Sequence, residues 1–171
     1  LKVIEEPNDG IFFILINNNE KTILPTLKSR CLIFKINLTF NQSVDIAKQL
    51  LNKDILNSIN HDILNYYIAP AEIINLFNLA DDKKINLLEY NLESLLELLI
   101  NNGYYKKNKV IKKMILNFIE LFFLKKYKIT NTKNSILSLY QNFLNKINDM
   151  EKFNLDEESL FIEFKSKLLH E

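Results

Sequence analysis

After Ile36 the apolar residues of this chain return at intervals of three and four, and no later stretch of length alternates with period two. That spacing confines most of the sequence to amphipathic helices and makes the expected fold class mainly α. Asn41 stands where it can cap a helix from Gln42 to about Asn52, with Val44, Ala47, Leu50 and Leu51 on one face. Ile59, Ile63 and Tyr67 carry the spacing into a second short helix. Pro70 opens a third, to about Leu79, in the first-turn position where proline is tolerated.

Beyond Asp81 the helices lengthen. Leu92, Leu95, Leu96 and Leu99 form a stripe, with Asn91 as the expected cap and Gly103 placed to end the helix in a left-handed conformation. Ile111, Met114, Ile115, Phe118, Ile119 and Phe122 keep the helical spacing through the longest segment. Ile136, Tyr140, Phe143 and Ile147 mark another, and Leu160, Phe161, Phe164 and Leu168 the last, opened by Asn154 with Glu157 three residues on in an approximate capping box. Four such helices joined by short polar connections predict an antiparallel bundle.

Residues 1–36 have a different character. Residues 1–5 suit the end of a helix before Pro7, since proline disfavours helical geometry in its predecessor. Asn8, Asp9 and Gly10 supply turn chemistry. The run IFFILI (11–16) does not alternate, as in a strand covered on both faces within a parallel sheet. Such a strand needs partners that these 171 residues do not supply, so 1–36 should be poorly stable alone and the chain reads as the C-terminal part of a longer protein. Three parts are expected: the end of an α/β domain over 1–36, a small helical lid over 37–88, and a helical bundle over 89–171.

Composition excludes several chemistries. A net charge of +1 offers no bulk attraction for nucleic acid or acidic membrane, although Lys106, Lys107, Lys109, Lys112 and Lys113 form a local basic run able to meet a phosphate or to serve as a solvated helix face. The single cysteine, Cys31, makes no internal disulfide and reads as a buried small hydrophobe in a reducing cytoplasm. His61 and His170 lie far apart and suit surface or capping roles, so no metal site is expected. No apolar stretch approaches the roughly 20 residues needed to span a bilayer. With only Gly10 and Gly103 there is no glycine-rich phosphate loop. The adjacent Glu5 and Glu6 point apart on a helix, and Phe118, Phe122, Phe123 and Phe143 sit at core spacing rather than as a base-stacking platform.

The strings LKVIEEP (1–7), FILINN (13–18) and LPTLKSRC (24–31), in this order and spacing, resemble the sensor and arginine-finger region of bacterial clamp-loader subunits of the AAA+ family. The resemblance is specific over residues 1 to about 36 and architectural beyond. It implies that Arg30, in the SRC triplet, acts as an arginine finger in trans on ATP-Mg held by a neighbouring subunit. Asn17 and Asn18 take the position of the polar sensor 1 residue. It also implies that the bundle is a collar joining a ring of five, with gamma/tau and delta-type subunits as partners, and with sliding clamp and primed DNA met through the assembly. The chain departs from the family at IAPAE (68–72): Ala71 replaces a glycine and Glu72 stands where the sensor 2 arginine is expected. A carboxylate there would repel a nucleotide phosphate, so the resemblance implies a subunit that binds no nucleotide of its own; the same Glu72 also suits the first turn of a helix. The alternatives are an ATP-hydrolysing gamma/tau-type subunit and a plain helical interaction module.

Overall fold

The computed structural model describes residues 10–17, 23–65, 68–106, 108–153 and 155–168. The helix end at 1–5, the paired Glu5 and Glu6, and also Asn8, Asp9, Asn18, Tyr67, Lys107, Asn154 and His170, lie outside the described residues. The chain separates into two compact units, Leu1–Asn37 and Leu38–Glu171.

In the first unit Gly10 takes φ +82°, the left-handed turn conformation that glycine adopts without cost. The run 11–16 is not a strand, contrary to its apolar pattern, and no strand occurs among the described residues. A lone extended segment has no ladder to join, because each strand hydrogen bond needs a second strand. Its exposure still alternates: Phe12, Ile14 and Ile16 are 92%, 87% and 92% exposed, whereas Ile11, Phe13 and Leu15 are about half covered. The one-turn helix α1, Pro25–Lys28, follows.

The described residues of the second unit are mainly helical. Helix α2 spans Phe40–Leu51, and its cap is Thr39 rather than Asn41. The Thr39 hydroxyl accepts from the Gln42 N–H at 3.4 Å while Gln42 Oε1 accepts from the Thr39 N–H at 2.9 Å, a reciprocal capping box. Val44 and Ala47 are buried, but Leu50 is exposed and leaves the expected face. Ile55, Ile59 and Ile63 are fully buried, yet the chain carrying them is a series of turns with a single 3₁₀ turn, η1, at His61–Ile63. The Asn60 side-chain oxygen caps that turn by accepting from the Asp62 N–H, and the Asn60 backbone N–H donates to the Leu87 carbonyl at 3.0 Å.

Helix α3 spans Pro70–Lys83, one turn longer than the spacing predicts, and stops at Lys84, which takes the left-handed conformation at φ 55°. Helix α4, Leu92–Asn101, begins at the Asn91 cap and ends at Gly103 with φ +60°. The Gly103 N–H bonds the Ile100 carbonyl and the Tyr104 N–H the Leu99 carbonyl, the paired bonds of a Schellman ending. Helices α5 (Lys109–Ile129), α6 (Lys133–Phe153) and α7 (Glu157–Leu168) complete the chain. Asp156, one residue before α7, accepts from the Glu158 N–H at 3.0 Å and provides its cap.

Helix α4 packs on α5, α5 on α6, α6 on α7 and α7 on α4, which closes the bundle, while α3 packs on both α2 and α5. A single core runs from Val44 to Phe164, so the helices of 37–88 and those of 89–171 share buried surface. Its aromatic centre is formed by Phe122, Phe123, Phe143 and Phe164, with ring centroids 5.3 to 6.1 Å apart.

Candidate functional site

Arg30 follows directly from the way α1 ends. Pro25 at the first helical position presets the helical φ. The Ser29 N–H then donates to the Pro25 carbonyl at 3.0 Å and the Arg30 N–H to the Leu27 carbonyl at 3.1 Å. The Ser29 hydroxyl donates to the Thr26 carbonyl at 3.1 Å, satisfying a third group of the turn. The backbone under Arg30 is thereby held by local bonds while its side chain is exposed. Cys31, expected to be buried, is only partly covered. Asn17 is exposed in the same unit, and its expected companion Asn18 is among the residues not described.

Glu72 has a structural occupation. One carboxylate oxygen accepts from the Ala69 N–H at 3.3 Å, half of a capping box, and the other accepts from Asn117 Nδ2 at 2.7 Å. It therefore ties the start of α3 to the middle of α5. Two lysines of the basic run are likewise engaged: Lys106 pairs with Glu158 at 2.8 Å and Lys112 pairs with Glu157. The two carboxylates lie in the first turn of α7, where a helix favours negative charge, so these lysines fasten α7 to the bundle. The phenylalanines at 118, 122, 123 and 143 are buried, as their spacing predicts. His61 is exposed, and no group of side chains able to hold a metal ion occurs among the described residues. Nor is any helix among them long and apolar enough to cross a membrane.

Sequence reasoning missed Asp62. Its carboxylate accepts from the Leu92 N–H at 2.8 Å and from Lys125, whose ammonium also reaches the Asp62 carbonyl. Burial alone would raise its pKa, but the Lys125 hydrogen bond, the Leu92 N–H and the Lys125 charge outweigh it and hold the group below 3.8. Asp62 thus joins η1, the start of α4 and the end of α5. Partners separated by 30 and 63 residues leave no local signal. Sequence reasoning also missed a cavity of about 660 Å³ bounded by η1, α3, α5 and α6, whose lining includes Glu72, Glu120 and Tyr140.

Residues 1–39 match a family model described as DNA polymerase III, delta subunit. Over 175 aligned residues the chain is 29% identical to the DNA polymerase III subunit gamma of Buchnera aphidicola subsp. Schizaphis graminum, covering 99% of this chain and 42% of that protein. The chain thus spans less than half the length of this relative. No solved structure matches. Both similarities are to DNA polymerase III subunits, one described as delta and the other as gamma, and they do not separate the two types.

Proposed function

We propose that this chain is the C-terminal part of a DNA polymerase III clamp-loader subunit of the delta-prime type, and that Arg30 completes the ATPase site of a neighbouring subunit. The observation that carries the reading is a coincidence of place: the family match over 1–39 falls on the stretch in which a proline-started turn presents Arg30. A guanidinium offers a planar fork of donors and a permanent charge, which suit the charge that develops on a phosphoryl group in transfer. Asn17 and Asn18 take the sensor 1 position in this reading, with the lid at 37–88 and the collar at 89–171. ATP-Mg belongs to the neighbour. The partners are gamma/tau and delta-type subunits, with the sliding clamp and primed DNA reached through the assembly in the cytoplasm.

Glu72 supports a subunit that does not hydrolyse ATP itself. A carboxylate held by Ala69 and Asn117 cannot do the work of a cation at the terminal phosphate. The ATP-hydrolysing gamma/tau reading is favoured instead by the similarity to a gamma subunit. In a loader reconstituted with the full-length subunit, Arg30→Ala lowers clamp- and DNA-stimulated ATP turnover while the complex still assembles. Arg30→Lys is nearly as damaging, because a point charge does not reproduce the fork. Unchanged turnover in both variants rejects the finger role.

A further inference from the structure

The cavity between η1, α3, α5 and α6 is polarised in a way that the proposed function does not use. Its floor is apolar, with Ile63, Ile68, Met114 and Phe118 among the lining residues, and Leu124 and Leu137 stand partly exposed at its edge. The charged residues in the lining are Glu72 and Glu120, and no lysine or arginine is among them. Glu72 is committed to Ala69 and Asn117, whereas Glu120 is exposed and forms no ion pair among the described residues. Burial, and after it the Glu120 charge, push the Tyr140 hydroxyl above 10.0, so the field of that carboxylate reaches into the groove. The Lys133 ammonium, outside the lining, lies 5.4 Å from the centre of the ring of Tyr127, a lining residue. Glu120 and Tyr127 stand seven residues apart on α5, about 10 Å along its axis, the length of two helical turns.

We propose that this groove takes a short amphipathic helical segment of another protein, which seats two or three apolar side chains in the cavity and sets a lysine or arginine against Glu120. Charge complementarity chooses this occupant: the apolar floor asks for aliphatic or aromatic anchors, the single uncommitted carboxylate in the lining asks for a cation, and the Lys133 ammonium beside Tyr127 disfavours a uniformly basic segment. The inference is independent of Arg30, because every lining residue lies in Leu38–Glu171.

The test is selection of a phage-displayed library of roughly 12-residue peptides, about three helical turns, on the full 171-residue chain, followed by affinity measurement with the enriched synthetic peptides. Expected sequences carry apolar residues at helical spacing and a lysine or arginine placed to meet Glu120. Glu120→Lys, an exposed substitution, should weaken them roughly twofold to fivefold, the scale of one exposed ion pair. Replacing the peptide's own cation by glutamine should produce the same loss in the wild-type chain and none in Glu120→Lys. Leu137→Arg should abolish binding. Failure to enrich any peptide, enriched peptides without a basic residue, or affinities unmoved by both variants would overturn the proposal. So would a concentration-dependent dimer in sedimentation that Leu137→Arg abolishes, since the groove would then belong to a second copy of the chain.

Discussion

Asp62→Ala tests whether one carboxylate joins three elements. The Leu92 N–H it serves belongs to a buried residue at the first position of α4, where no intrahelical carbonyl exists to replace the lost acceptor. Leaving such a donor unsatisfied costs about 1–3 kcal/mol. The ion pair with Lys125 is partly exposed, so its loss adds only about 0.5–1 kcal/mol. The expected total is about 1.5–4 kcal/mol, which at a urea dependence of about 2 kcal/mol per molar lowers the unfolding midpoint by roughly 1–2 M with an unchanged slope. Asp62→Asn keeps an oxygen for Leu92 and loses only the charge, so it should cost only the ion-pair share, about 0.5–1 kcal/mol. The pH dependence follows from the lowered pKa. The contribution is complete above 3.8 and disappears as the pH falls below that value through the folded pKa. Wild type and Asp62→Asn should therefore differ by a constant amount from neutrality down to about pH 5 and converge in stronger acid. A shift below about 0.5 kcal/mol for Asp62→Ala, or an Asn variant as costly as the Ala one, would refute the reasoning.

Three further outcomes can be measured in the same way. Phe164→Ala removes a buried ring packed against Phe122, Phe123 and Phe143, and should cost about 3–5 kcal/mol in denaturant unfolding. Lys84 and Gly103 make opposite predictions from the same conformation: Lys84→Gly should stabilise by about 0.5–1 kcal/mol because an exposed residue at φ 55° loses its strain, while Gly103→Ala at φ +60° should destabilise by about 1 kcal/mol or more, both read as shifts in thermal midpoint. On the proposed reading, residues 38–171, which hold the shared core, should associate with clamp-loader subunits in sedimentation; a strictly monomeric, non-associating 38–171 would count against the proposed collar role, and a piece cut near residue 90 should fold less well because it severs the Asp62 and Glu72 ties.

What could be read from the amino acids alone was local. Asn91 and Gly103 bound α4 as their types predict, and Pro70 starts α3, because caps and turn conformations depend on a few neighbouring residues. Thr39 and Gln42 were legible in the same sense, three residues apart and reciprocal, but Asn41 offered a competing cap in the same window. At Ile59 and Ile63 the spacing identified which side chains are buried and not which backbone carries them, since a turn pinned through Asn60 to Leu87 buries the same residues as a helix would. The ties between elements were invisible: Glu72 meets Asn117 and Lys112 meets Glu157, each across 45 residues, and nothing near any of the four distinguishes it from other surface polar residues. Arg30 is the reverse case. Its motif is local and legible, and its backbone is set by bonds within seven residues, yet the chemistry proposed for it needs a phosphate that another subunit holds. The exposed apolar residues at 12, 14 and 16 point the same way, since two-sided burial of that run requires a sheet that 10–17 and 23–37 do not form. Among the described residues the buried core lies wholly within Leu38–Glu171, whereas 10–17 and 23–37 bury no side chain fully, so the backbone turn under Arg30 is set by its own local bonds and not by a core.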